Sequence, residues 1–186
     1  MSNQRVASRY AKSIMELSLE KGRLEEVHGD FQNLTAMVEG NYELKTVLQN
    51  PVISSEKKLN VLKALFAKGV DPITMKFFEI ISQKNREKIL VDVALEFEKQ
   101  YNLHKSIQVA ELTTTFPVDA KLKEEIVAVV KEISGKNSVQ LVEKINPEII
   151  GGYILKVNDR QIDESLSSKL RILKTQFSQN HYESKL

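Results

Sequence analysis

The sequence contains no cysteine, and its few histidines lie far apart. The absence of cysteine excludes a disulfide framework, thiolate metal ligands and a cysteine nucleophile, and it is compatible with a reducing compartment. The three histidines, His28, His104 and His181, lack the spacing of metal ligands, so surface or helix-packing roles explain them better. We therefore expect neither a metal centre nor a cofactor.

Long hydrophobic runs and a dominant charge are also missing. No run approaches the roughly 20 apolar residues that cross a bilayer, so we expect no direct membrane span and only peripheral association. The 27 basic and 25 acidic residues nearly balance, which gives no argument for a nucleic-acid partner. The hydrophobic content of 41% over 186 residues is enough to bury a core, in one domain or in two small ones.

Helical periodicity, interrupted by clear breaks, runs through residues 1–104. Apolar residues at helical spacing predict six short helices, and glycine, proline and capping residues mark their ends. The basic opening MSNQRVASRYAKSIM superficially resembles a transit peptide, but its apolar pattern continues into MELSLEKG and favours a first helix. The six predicted helices carry, in order, the stripe Val6, Tyr10, Ile14 and Leu17, the stripe from Leu24 to Val38, the segment from Tyr42 to Gln49, the stripe from Leu59 to Phe66, the segment DPITMKFFEIISQ, and a stripe that starts after Asn85 or Arg86 and ends at Tyr101.

The pattern changes its period after Tyr101, and NLHKS is the candidate domain boundary. The segments IQVAEL and SVQLVEKI predict two strands, with a helix from about Val118 to Ser134 between them. A β-hairpin follows, with its tip at Asn158-Asp159. Asp163 is the predicted N-cap of a last helix. The apolar stripe of that helix comprises Leu166, Leu170, Leu173 and Phe177.

Two adjacent glycines, Gly151 and Gly152, precede the first hairpin strand. A phosphate-binding loop passes directly from glycine into a helix N-terminus, whereas here a strand intervenes, which argues against nucleotide binding. The pair allows a bulge, a tight bend or the close approach of another backbone. An enzyme requires a nucleophile, a base and an orienting group, and the sequence shows no such arrangement.

We predict a mainly α protein with a six-helix bundle at 1–104 and an α+β domain with a β-hairpin at 105–186.

Four segments together resemble the delta subunit of bacterial F-type ATP synthases, which is homologous to the mitochondrial oligomycin-sensitivity-conferring protein. They are VASRYAKSIMELSLEKGRLEEV, QNPVISSEKK, QKNREKIL and IIGGYILKVNDRQIDESLSSKLRIL. The most specific motif is a glycine pair, a strand, an acidic turn and Ile-Asp-x-Ser before a leucine-rich helix. Many family members have glycine where this chain has Glu164, which bears on turn geometry. The motif residues are Gly151, Gly152, Ile162, Asp163 and Ser165.

The resemblance implies a non-catalytic stator subunit. In such synthases the helical domain binds N-terminal segments of the alpha subunits of the catalytic head, and the second domain joins the b subunits of the peripheral stalk. The head is thereby kept from turning with the rotor, so that torque driven by proton flow is used for ATP synthesis. The implied location is the cytoplasmic side of the bacterial inner membrane, bound peripherally.

Surplus apolar residues on two helices indicate where a partner helix could bind. Ala7, Ala11 and Ile14 widen the apolar stripe of the first helix, and Ile73, Phe77, Phe78, Ile80 and Ile81 cover more of the fifth than one core stripe requires. Small alanines beside bulky apolar residues can form a groove for an amphipathic helix. The alternative is that the core absorbs them all; the resemblance favours the groove. The candidate contacts for the alpha segment are Ala7, Tyr10, Ala11, Ile14, Phe77 and Ile81.

Two other classes of function compete with a stator role. A nucleic-acid adaptor would use Lys57, Lys58, Lys63 and Lys68 as a basic patch, but no aromatic platform accompanies these lysines. An enzyme acting at the glycine pair has the wrong order of strand and helix for phosphate capture. We therefore expect no nucleic-acid partner.

Overall fold

The computed structural model describes residues 3–66 and 69–178. The protein is mainly helical, with a four-stranded sheet in its C-terminal part. The prediction of a mainly α chain with a small α+β part is confirmed at this level. The chain divides into two compact units, Met1–His104 and Lys105–Leu186. Among the described residues, no helix has the length and apolar character needed to cross a membrane.

Six α-helices and one short 3₁₀ turn form the described part of the first unit. Asn41 caps α3 by accepting hydrogen bonds from the backbone N–H groups of Glu43 and Leu44. The predicted helices are all present, but the last, predicted to begin at Asn85 or Arg86, starts as a 3₁₀ turn at Glu87 and becomes α-helical at Leu90. The bounds are α1 Asn3–Glu20, α2 Leu24–Gly40, α3 Tyr42–Gln49, α4 Ser55–Leu65, α5 Pro72–Gln83, the 3₁₀ turn Glu87–Ile89, and α6 Leu90–His104.

An aromatic cluster fills the core of the first unit and fixes α5 against α2 and α6. The ring of Phe31 lies 4.8 Å from that of Phe97, 5.9 Å from that of Phe77 and 6.5 Å from that of Phe78, measured between centroids. Stacked and edge-on aromatic pairs add to the stabilisation from apolar burial. These contacts fix the position of α5 through the face that points into the core. They do not account for the apolar residues on its outer face.

The second unit combines a mixed sheet with two helices. The strand order is β2-β1-β3-β4, with β1 parallel to β2 and the other pairs antiparallel. Helix α7 connects the parallel pair, and its Ile126 and Val130 pack with Leu112 and Leu155 in the core of this unit. The bounds are β1 Ile107–Thr114, α7 Ala120–Ser134, β2 Ser138–Ile145, a 3₁₀ turn Pro147–Ile149, β3 Tyr153–Val157, β4 Arg160–Asp163, and α8 Leu166–Ser178.

Helix α8 is present as predicted, but its apolar stripe is not packed. None of its residues is buried, and it meets the rest of its unit mainly at the 3₁₀ turn before β3. The exposed fractions of its four stripe residues are 48% for Leu166, 56% for Leu170, 46% for Leu173 and 81% for Phe177. Helix α8 is therefore amphipathic, and its apolar face is exposed to solvent.

Candidate functional site

An apolar groove of about 650 Å³ lies between α1 and α5. Its floor and walls come from large apolar side chains of both helices, and several of them remain open to solvent: Leu17 is 42% exposed and Ile80 is 48% exposed. The apolar lining residues are Tyr10, Ile14, Leu17, Pro72, Ile73, Phe77 and Ile80.

The groove lies beside the inward face of α1, which carries the small residues Ala7 and Ala11 among larger ones. Ala7 and Ala11 are fully buried, and Ile14, Met15 and Ser18 continue this face along the helix. Small side chains let α1 pack closely against its neighbours α6 and α2. Tyr10 and Leu17 lie about 100° around the helix from this face, so they flank the core rather than enter it.

The structure separates the six predicted contact residues into two groups. Tyr10, Ile14 and Phe77 line the groove. Ala7, Ala11 and Ile81 are each 0% exposed and do not line it. The placement of these three in a groove is wrong because α1 and α5 use them for the core of the unit.

The groove residues that the candidate set omitted are the exposed large ones. They are Leu17 of α1 and Ile73 and Ile80 of α5. Helical spacing does not identify them, because both apolar stripes of α1 have it.

A hydrogen-bonded network holds one end of the groove. The buried Asp71 carboxylate caps α5 by accepting from the backbone N–H of Ile73 at 2.8 Å, and its other oxygen accepts from Arg23 Nη1 at 2.8 Å. The backbone N–H of Asp71 in turn donates to Asp30 Oδ2 at 3.0 Å. The segment after α1 is thereby tied to the start of α5 and to α2.

Arg86 contacts Tyr10 at the other end of the groove. Its Nη1 donates to the Tyr10 hydroxyl at 3.1 Å, and its guanidinium carbon lies 5.9 Å from the centre of the ring. The Tyr10 ring also packs edge-on against Phe77 at 6.2 Å. These contacts orient the aromatic wall before any partner binds.

The glycine pair of the second unit is explained by the close approach of another backbone. Gly152 has φ +76°, and a Cβ there would overlap the carbonyl oxygen of Glu164. A Cβ on Gly151 would lie 2.8 Å from Leu166 Cδ1. The N–H of Leu166 donates to the carbonyl of Gly151 at 2.9 Å, and that of Glu164 to Tyr153 at 3.0 Å. The pair thus joins the start of β3 to the start of α8.

Ser165, rather than Asp163, caps α8. The Ser165 hydroxyl accepts from the N–H of Ser168 at 3.2 Å, and its carbonyl accepts the first helical bond, from Lys169. Asp163 ends β4, two residues earlier, and Ile162 packs at the edge of the sheet core. The predicted cap is therefore wrong by two residues, because the carboxylate forms an Asx turn that leads into the helix.

The Asp163 carboxylate nevertheless supports the start of α8. It accepts from the N–H of Ser165 at 3.0 Å and from the Ser168 hydroxyl at 2.7 Å. Hydrogen bonding by the side chains of Ser165 and Ser168, and by the Ser165 N–H, favours the charged form and lowers the pKa of Asp163 to about 2. The family motif Gly151, Gly152, Ile162, Asp163 and Ser165 is thus one local structure.

Two of the four lysines of the alternative basic patch, Lys58 and Lys63, are paired with carboxylates. Lys58 is 4% exposed, and its Nζ lies 3.8 Å from Glu87 Oε2 in a buried ion pair. Lys63 is paired with Glu79 at 2.8 Å, whereas Lys68 lies outside the described residues, as does His181. The His28 ring stacks on that of Tyr101 at 3.6 Å, a packing role within the first unit.

Three comparisons with known proteins agree. A family model described as "ATP synthase delta (OSCP) subunit" matches residues 6–177. The ATP synthase subunit delta of Cytophaga hutchinsonii is 36% identical over 179 residues, covering 96% of this chain and 97% of that protein. That of Flavobacterium johnsoniae is 35% identical over 178 residues, covering 96% and 99%.

The fold agrees as well. A chain of the cryo-EM structure of the Toxoplasma gondii mitochondrial ATP synthase hexamer matches with a TM-score of 0.71 and 25% identity, over 92% of this chain and 97% of that one. These findings confirm the resemblance drawn from the sequence motifs. The chain therefore belongs to the ATP synthase delta (OSCP) subunit family, whose members are structural, non-catalytic components of the peripheral stalk of F-type ATP synthase.

Proposed function

We propose that each unit of this stalk component binds one partner. Residues 1–104 act as a six-helix bundle that binds an N-terminal segment of an alpha subunit, and residues 105–186 bind the b subunits. The chain thereby fastens the catalytic head to the stator, so that torque from the rotor drives ATP synthesis instead of turning the head. The bacterial relatives and the family favour a peripheral position at the cytoplasmic side of the inner membrane.

The observation that carries the alpha contact is the open apolar groove between α1 and α5. Leu17 and Ile80 leave large fractions of their side chains in water, on the two sides of a concave surface. Burying such surface against an amphipathic helix is the main source of affinity in helix-in-groove recognition. The groove follows α1 from Tyr10 to Lys21, which is roughly 17 Å and accommodates about three turns of a bound helix.

The observation that carries the stalk contact is the exposed stripe of α8. Leu166, Leu170 and Leu173 recur at helical spacing along an amphipathic helix that has no buried residue of its own. A stripe of this kind suits packing against another helix, as in a helical stalk. In this proposal the glycine pair sets the position from which α8 extends.

The experiment that tests the alpha contact replaces exposed groove residues by charge. Leu17→Glu and Ile80→Glu place a carboxylate in the proposed contact, where an unpaired charge costs several kcal/mol on desolvation. A loss of about 3 kcal/mol weakens binding roughly 150-fold. Calorimetric titration of the alpha N-terminal peptide of the same organism into each full-length variant measures the loss.

The matched control is Leu95→Glu. Leu95 lies on α6, is 41% exposed and does not line the groove. Thermal melts run beside each titration establish that the variants are folded. Unchanged affinity in folded Leu17→Glu and Ile80→Glu chains would exclude the groove as the binding site; the same loss in Leu95→Glu would show that the effect is not local.

A further inference from the structure

The charged residues at the groove are nearly all basic. Lys21 and Arg23 lie at one end of its lining together with Asp71, and Lys76 of α5 also lines it. The adjoining depression at the other end includes Arg9 and Arg86, and it shares Tyr10 and Ser13 with the groove. Five basic residues thus face a single acid, although the whole chain has a formal net charge of only +2.

The single acid is already neutralised. The Asp71 side chain is 2% exposed and is bonded to Arg23, so this pair adds little field at the surface. Within the described part of the chain, the ion pairs that form do not involve Arg9, Lys21 or Lys76. The Arg86 guanidinium is hydrogen-bonded to the neutral Tyr10 hydroxyl and lies near its ring.

Nearby carboxylates on the two groove helices do not offset this positive charge. Glu16 lies 3.8 Å from Lys12 on the exposed side of α1, and Glu79 is paired with Lys63 of α4. Glu20, the last residue of α1, and Glu26, which interacts electrostatically with Arg23, are not among the lining residues. The charged residues that line the groove and the adjoining depression are therefore mainly basic.

We propose that the helix bound in this groove carries acidic residues at both ends of its apolar stripe, and that their attraction to the basic ends speeds association. This inference rests on the proposed function and adds the charge pattern of the partner. Arg9 of α1 and Lys21, which directly follows this helix, are 12 residues apart, or roughly 18 Å. The acidic residues of the partner should accordingly lie about three turns apart.

The contribution of these charges should be kinetic more than thermodynamic. Lys21 and Lys76 are exposed, and ion pairs between exposed groups contribute little to equilibrium affinity. Complementary potentials raise the association rate and make it depend on ionic strength. The apolar contacts of Leu17 and Ile80 should instead set the dissociation rate.

The test is a stopped-flow measurement with a labelled peptide from the N-terminus of the alpha subunit of the same organism. We expect Lys21→Glu combined with Lys76→Glu in the full-length chain to lower the association rate about tenfold at low ionic strength. The effect should nearly vanish at about 1 M salt, where the Debye length is only about 3 Å. The control Lys45→Glu with Lys57→Glu makes the same change in net charge at exposed sites outside the groove.

A second peptide, with its carboxylates replaced by amides, completes the cycle. It should associate more slowly with the wild-type chain, while the reversed variant should lose this preference for the acidic peptide. Equal association rates for the groove variant and its control, or a loss of association rate that does not depend on salt, would overturn the charge inference. Neither result would contradict the groove as the binding site. If the wild-type chain binds neither peptide, the proposed alpha contact itself fails.

Discussion

At Gly152, both the backbone conformation and the tertiary packing require glycine. Its φ of +76° disfavours any side chain, and a Cβ would also overlap the Glu164 carbonyl. We expect Gly152→Ala to lower the free energy of unfolding of the second unit by about 3 kcal/mol. Denaturant unfolding followed by NMR signals of residues in β3 measures this change.

Gly135 supplies the matched control for that change. Its φ is +66° in the same unit, but nothing lies within 4 Å of a Cβ placed there. Gly135→Ala should cost about 1 kcal/mol, the penalty of backbone conformation alone. Equal losses in the two variants would show that the close approach to Glu164 contributes nothing.

Asp163 makes the start of α8 sensitive to acid. Hydrogen bonds from Ser165 and Ser168 lower the pKa of its carboxyl to about 2, below the ordinary value of about 3.9. A depressed carboxyl pKa stabilises the folded form above about pH 4, and this stabilisation is lost as the pH falls toward 2. Amide signals of the first turn of α8 should therefore report fraying between pH 4 and 2.

Ser168→Ala should raise the pKa of Asp163 toward its ordinary value, because one hydrogen bond to the carboxylate disappears. NMR titration of the Asp163 carboxyl carbon measures the shift. Ser178→Ala is the control, since that hydroxyl donates to the carbonyl of Lys174 at 2.8 Å. An unchanged pKa in Ser168→Ala would contradict the role assigned to this bond.

Ala11 lies on the core face of α1 and not in the groove. Ala11 is fully buried, so Ala11→Arg should disrupt the folding of the first unit and not merely weaken a contact with a partner. A buried unpaired charge together with overpacking costs several kcal/mol. Thermal melts should show a large loss for Ala11→Arg and a small one for Leu17→Glu; the reverse order would contradict the assigned faces.

The helices could be predicted from sequence, but the inward face of α1 could not. The stripes Val6, Tyr10, Leu17 and Ala7, Ala11, Ile14 both have helical spacing, and periodicity alone does not choose between them. The choice follows from how closely α6 and α2 pack against α1, which depends on residues far away in sequence. The sheet poses the same difficulty. Its strands and hairpin were predictable, whereas the parallel pairing of β1 with β2 is a non-local contact.

Helix α8 is the element on which the proposed stalk contact depends. We expect Leu170→Glu to prevent binding of a soluble b-subunit fragment, because Leu170 lies at the centre of the exposed stripe. Thr175→Glu is the control, since Thr175 lies on the opposite side of α8, about 180° around the helix from Leu166. Pull-down of the fragment from purified components measures binding. Equal retention by the two variants would remove the stripe from the stalk contact.

At the scale of the whole molecule, each of the two units has its own core and its own exposed apolar surface. The first has an aromatic core and an open groove, and the second has a sheet core and an unpacked helix. Neither surface needs catalytic groups, which agrees with a family of structural subunits. In the proposed function, the chain connects head and stalk only when a partner is bound at each of the two surfaces.

The most direct test of this account is a disulfide cross-link in the assembled synthase. The chain has no cysteine, so Ser13→Cys in the groove creates a single reactive thiol, to be paired with one cysteine near the alpha N-terminus. Thr46→Cys is the control, since Ser13 and Thr46 both donate their hydroxyl to a carbonyl four residues earlier on exposed helix faces. Oxidation should join alpha to the Ser13→Cys chain and not to the Thr46→Cys chain. No cross-link at Ser13→Cys, or equal yields at both positions, would contradict the groove as the attachment of the head.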